Sequence, residues 1–363
     1  MTRTAILLLA HGTPDILSDM PEYLQKVTAG RPMPAHVIEE LQHRYAAIGL
    51  RDMPLPEGPP LTRWTLRQAQ LLADRIRKTV YVGMRNWHPF IAGTVAQMKA
   101  AGVTHATVLC LAPQNSRTST GLYKRALDAA LDQAFADAPE QRLTYDFIST
   151  WAADPLLIRA FAERLWPTWA EACAITGTHV PILFTAHSVP CKTIQSKSLA
   201  TSTELSSRPE PLSEPQASRM GRSGETRSSI PADALQDYGP AATPDPYAVE
   251  CKQTAAAVAN LLAPVGLTHN DWYFAFQSQG IAGAPWLGPS VEETLKSLAE
   301  EGHQAVVIQP IGFLCDHVEI LYDIDIHFRE VADSLGMKLF RPESLNDSPT
   351  LIHALAHVLA NNS

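Results

Sequence analysis

The 363-residue sequence has no basic run, no CxxC pair and no apolar stretch of the roughly eighteen residues a membrane-spanning helix needs. With a net charge of −8, the lack of Lys/Arg clusters argues against nucleic acid and against a polybasic membrane anchor. The five cysteines (Cys110, Cys173, Cys191, Cys251, Cys315) are scattered and odd in number. That excludes a disulfide framework and a structural zinc site, and points to buried thiols in a reducing cytoplasm. The early AILLLA run is too short for a signal h-region, so no secretory leader is expected. GxGxxG, GxxxxGK[ST] and GxSxG are all missing, which leaves nucleotide binding and elbow-type hydrolysis without support.

What is present is a 45% apolar chain with eight short apolar runs: Thr4–Ala10, Thr79–Met84, Ala106–Ala112, Leu143–Thr150, Pro181–Ala186, Trp272–Gln277, Ala305–Phe313 and Met337–Arg341. Most are continuous rather than alternating, as in parallel strands buried on both faces. Helical patterns such as 156–170 and 291–301 lie between them. LLLAHGTP (7–14) aligns with LFTAHSVP (183–190), and 87–113 shares its Trp, turn, helix, Gly, strand and Pro layout with 286–310. The expected fold is therefore α/β: two similar doubly wound domains with four-stranded parallel sheets facing a central cleft. The domains are placed at 1–150 and 151–345, followed by a C-terminal helix at 346–363. A lip over the cleft is expected at about 30–64. A Ser-, Thr- and Pro-rich insertion at about 191–244 is expected to be disordered.

Ligands of open parallel sheets bind beyond the strand carboxyl ends. In an assumed 2-1-3-4 order, that places His187 and the cluster DHVEILYDIDIH (316–327) on one crevice. Glu319, Asp323 and His327 recur at four-residue spacing, so a helix from Asp316 stacks them on one face. Such a ladder suits a proton path or a hydrated dication; a solvated face with Asp316 as N-cap is the plainer alternative. His317, on another helical face, makes a three-point zinc site with Glu319 and Asp323 the weaker reading. His11 is the repeat mate of His187, and the lip carries Arg31, Arg44 and Tyr45, which suit an anionic ligand.

Taken together, HGTP, RYAAIG, MRNWHPF, APQNSRTSTG, TAHSVP, DPYAVEC, FQSQG, PWLGPSVEETL and GFLCDHVEILYDID resemble the ferrochelatase family, which inserts Fe2+ into a porphyrin. The resemblance implies two Rossmann-like halves, with His187 accepting pyrrole protons and Glu319 its partner at the metal. Asp323 would continue the acidic path and His327 is a candidate relay; a glutamate is common there among relatives. It further implies porphyrin contacts by His11, Arg31, Arg44, Tyr45, Ser116 and Trp286. His11 stands where the coproporphyrin-using branch usually has tyrosine, and is expected to approach the metal from the opposite face. Fe2+ is substrate, no other cofactor is expected, and no cysteine after Cys315 could complete a [2Fe-2S] cluster. The lip favours coproporphyrin III over protoporphyrin IX. Cobalt or nickel chelation, or a non-catalytic haem carrier, are the alternatives. A monomer in transient contact with other haem-pathway enzymes is expected.

Overall fold

A computed structural model describes residues 3–194, 244–279 and 285–362. Residues 195–243, most of the expected insertion, lie outside that range.

The first half runs β1 (Thr4–Ala10), α1 (Met20–Val27), α2 (Ala35–Ala47), α3 (Pro60–Ile76), β2 (Val80–Met84), α4 (Ile91–Ala100), β3 (His105–Cys110), α5 (Thr120–Ala134) and β4 (Thr144–Ile148). The second runs α6 (Pro155–Thr176), β5 (Ile182–His187), α7 (Cys191–Ile194), α8 (Tyr247–Leu262), β6 (Trp272–Gln277), α9 (Val291–Glu300) and β7 (Ala305–Pro310). It continues through α10 (Val318–Leu321), a π-helical turn (Asp323–Phe328), α11 (Arg329–Ser334), β8 (Lys338–Phe340) and α12 (Pro349–Asn361).

The two sheets are ordered β2-β1-β3-β4 and β6-β5-β7-β8, every neighbouring pair parallel. Both match the assumed 2-1-3-4 order, so each winding reverses at the end of its first strand. The duplication extends to detail. Met84 N donates to Pro89 O at 2.7 Å and Phe276 N to Pro289 O at 2.8 Å. Thr94 and Thr294 then each bond a carbonyl four residues back, Phe90 O and Ser290 O.

Strand alternation explains the continuous apolar runs. Ile6, Leu8 and Ala10 enter a core shared by both sheets with α3, α6, α8 and α12, while Ala5, Leu7 and Leu9 pack under α4 and α5. Ile182, Phe184 and Ala186 face the shared core, and Leu183 packs with α9 and the π turn. A strand buried on both sides has no position that solvent would keep polar. The shared core fixes the two sheets, and therefore the strand ends that form the cleft, relative to each other.

Around 316–328 the structure departs from the single helix expected. Asp316 caps nothing; its carboxylate takes Arg341 (3.3 Å), Ser344 (2.7 Å) and Asn346 (2.9 Å). The helix starts only at Val318, after an extended His317, and widens when His327 N donates to Tyr322 O five residues back at 2.9 Å. Ile320, Ile324 and Phe328 stay buried on one side. Core anchoring therefore survives the change of winding, but the row of titratable groups does not stay in line.

Candidate active site

A cavity of about 410 Å³ opens between the sheets, lined by His11, Gly12, His187, Ser188, His317, Glu319 and Asp323 among others. Its walls include Arg31, Arg44, Tyr45, Ser116 and Trp286, together with Arg85, Tyr23 and Ser278, which the sequence did not single out. His327 is not among the lining residues; it points to Glu292 of α9 at 3.4 Å.

Two backbone features bring the walls close. Gly12 has φ +88°, and a Cβ there would lie 2.7 Å from Trp87 N, so the turn after β1 tolerates no side chain. Gly312 lets the chain leaving β7 pass β5, where a Cβ would sit 3.2 Å from that of Ala186.

The repeat-related histidines are held alike. His11 Nδ1 lies 3.0 Å from Gly12 O, and His187 Nδ1 bonds Ser188 O. A carbonyl only accepts, so each Nδ1 carries a proton. The second bond separates the two. Asn86 Nδ2 donates to His11 Nε2 at 3.0 Å, whereas no protein bond occupies His187 Nε2 among the described residues. Burial lowers the His11 pKa against its Gly12 bond, with Arg85 adding to the fall. Tyr23 OH lies 3.3 Å from His11 Nδ1, and Thr13 donates to Tyr45 OH at 3.4 Å.

Glu319 faces this imidazole group. His317 Nδ1 bonds Cys315 O at 2.9 Å, and its Nε2 lies 3.0 Å from Glu319 Oε2. By the same carbonyl argument, one further proton must bridge that contact. Burial would raise the Glu319 carboxyl, but His317, His187 and His11 outweigh it and hold it below its ordinary range. His317 falls on a different face only if a helix is already formed at Asp316, and the helix starts at Val318 instead. Among the described residues no three His, Cys, Asp or Glu side chains converge as a ready-made metal site.

Asp323 is treated differently. Burial raises its pKa from 3.8 to about 6, against the pull of Arg44 and of a bond from Ser278. Arg44 Nη1 reaches Asp323 at 3.2 Å and Nη2 reaches Glu40 at 3.0 Å, and its buried Nε has no partner among the described residues. Arg44 thus bridges the lip helix to the acidic segment. Ser116 Oγ accepts from Thr118 N at 3.1 Å within its loop and donates to Asp245 Oδ2, ahead of α8, at 3.4 Å. Trp286 Nε1 is buried with no partner among the described residues, a donor available to a ligand.

A cleft of this kind holds a free imidazole base, a paired carboxylate and a second carboxylate behind it. The ferrochelatase family model matches residues 3–363. The chain belongs to the ferrochelatase family. It is 51% identical over 356 residues to the ferrochelatase of Acidobacterium capsulatum, covering 98% of this chain and 93% of that one. It is 32% identical over 359 residues to the ferrochelatase of Deinococcus radiodurans, covering 98% and 94%. The coproporphyrin III ferrochelatase of Bacillus subtilis is 28% identical over 366 residues, covering 98% and 97%. The enzyme is a ferrochelatase, inserting metal into a porphyrin in haem synthesis.

Proposed function

We propose that the porphyrin is coproporphyrin III and the metal Fe2+, with His187 Nε2 as the pyrrole proton acceptor and Glu319 its partner. The observation that carries this reading is the pinned His187 Nδ1, which leaves the opposite ring nitrogen without a protein partner among the described residues, on the lining of the cleft. Replacing two pyrrole N–H protons by one Fe2+ releases two protons, and a neutral imidazole accepts one directly. Glu319, held anionic, supplies charge to meet the dication, and Asp323 with the Arg44 bridge lies on the side from which Fe2+ would arrive. Hard oxygen donors suit a partly hydrated dication and release it readily.

Four propionates distinguish coproporphyrin III from the two of protoporphyrin IX, and the walls supply cationic partners. Arg31 and Arg85 line the cleft with no ion pair to an acidic side chain among the described residues. Arg44 has both terminal nitrogens taken, so Arg85 replaces it in this reading as a propionate partner. Tyr45, Ser116 and Trp286 line the same walls and would contact the macrocycle or its acid groups. His11 would meet iron on the opposite face only after giving up its Asn86 bond. His327, turned to Glu292, would serve the metal only outside the cleft. The metal is substrate, and no resident cluster is invoked. A monomer in the cytoplasm, in transient contact with other haem-pathway enzymes, completes the reading; no helix among the described residues is long and apolar enough to cross a membrane.

The test is anaerobic absorbance with Fe2+ and each porphyrin. Parent enzyme should metallate coproporphyrin III faster than protoporphyrin IX, and the reverse order overturns the substrate assignment. His187→Asn keeps an N–H for Ser188 O but has no basic nitrogen. It should bind porphyrin normally and metallate about 10²- to 10⁴-fold more slowly; near-parent turnover would remove His187 from the proton step.

A further inference from the structure

Ser278 has φ +60°, a left-handed backbone that side chains other than glycine and asparagine rarely adopt. Arg77, another such residue, closes the last turn of α3, where that conformation is commonplace. Ser278 ends no helix. It follows β6 directly, at the carboxyl end of a sheet, and lines the cleft.

Its neighbour shows what the position is fixed against. Gln277 O accepts from Ser188 N at 2.7 Å, next to His187. Gln277 Oε1 accepts from Thr185 Oγ1 at 2.7 Å, and Nε2 donates to Glu319 O at 2.7 Å. Thr185 and Ser188 are buried with Gln277, and Glu319 is half-buried beside them, so residue 277 is tied both to the His187 strand and to the residue carrying Glu319. From that platform the Ser278 hydroxyl donates to Asp323 Oδ2 at 2.5 Å, while Arg44 holds Oδ1 at 3.2 Å. Glycine would adopt this backbone without strain. Serine accepts the strain, and what it gains over glycine is this hydroxyl and its bond.

We propose that Ser278 is a positioning residue for metal delivery: its strained backbone aims the hydroxyl that sets Asp323 relative to Glu319 and His187. The inference rests on the reading of Asp323 as a step on the Fe2+ route. Two variants separate strain from hydroxyl. Ser278→Gly removes both, and Ser278→Ala removes only the hydroxyl. Ser278→Gly should melt at the parent temperature or up to about 3 °C above it, and Ser278→Ala at or below the parent.

Both variants should lose about ten- to a hundredfold in kcat/KM for Fe2+, with porphyrin affinity from spectral titration unchanged. A merely structural role predicts instead that activity follows stability, with Ser278→Gly active and Ser278→Ala impaired, and that result overturns the proposal. Asp323→Asn is measured alongside and should be impaired toward Fe2+ with porphyrin affinity kept. If Asp323→Asn performs as parent, the Fe2+ route fails and the proposal with it. If it is impaired while both Ser278 variants match the parent, only the proposal falls.

Discussion

Asp323→Asn is expected to make the protein more stable at neutral pH while impairing it as a catalyst. Burial raises the Asp323 carboxyl from 3.8 to about 6 even with Arg44 and Ser278 opposing the rise. At about 1.4 kcal/mol per pH unit, keeping that carboxylate charged costs the folded state about 3 kcal/mol. The sign follows from proton counting. Between roughly pH 4 and pH 6 the folded protein binds the proton that the unfolded chain has lost, so stability falls as pH rises, and the cost is complete above about pH 6. Asparagine has no such titration. Urea unfolding of parent and variant at pH 4.5 and 7.5 should therefore show the variant's relative stability growing by about 2 kcal/mol, because about a third of the cost is already present at the lower pH. A relative stability that is the same at both pH values would refute the reasoning, since Asp323 would then not be raised by burial. A relative stability that shrinks with pH would mean that the Arg44 bridge outweighs desolvation.

Other perturbations probe the rest of the cleft. Gly12→Ala should cost roughly 2–3 kcal/mol in chemical unfolding, since it combines a left-handed backbone with a Cβ 2.7 Å from Trp87 N; a change below about 0.5 kcal/mol would show that the turn can open. Arg85→Ala should weaken coproporphyrin binding about tenfold in a fluorescence titration, and protoporphyrin less; equal losses would remove Arg85 from propionate recognition. The Glu292 bond raises the His327 pKa against desolvation. Its contribution is thus full below the unfolded value near 6.5 and fades as pH rises through the folded one. His327→Gln should accordingly cost a few tenths of a kcal/mol at pH 6 and less at pH 8, with no effect on porphyrin affinity.

Sequence alone determined the fold class, the eight strands to within a few residues and the duplication, while the 2-1-3-4 strand order was an assumption that the structure bears out. These follow from local pattern: a strand buried on both faces must be apolar throughout, and its ends are marked by Gly, Pro and polar residues. The same logic placed His11, His187 and the 316–327 cluster at strand ends, and therefore on the cleft. Tertiary structure decided the hydrogen-bond pattern of the histidines. Which histidine nitrogen is free depends on carbonyls and on Asn86, which approach from turns the helical spacing says nothing about. Whether Glu319, Asp323 and His327 act as a row depended on where the helix began and widened, and that was settled by Asp316 turning to Arg341, Ser344 and Asn346 and by the backbone bond to Tyr322. Arg44 looked like a free cation on a lip helix, and only the apposition of the two halves shows it committed to Asp323. Periodicity reports which face a residue takes, because that is fixed by backbone geometry within one element. Partners arriving from other elements, and the charge states they impose, exist only once the chain has closed on itself.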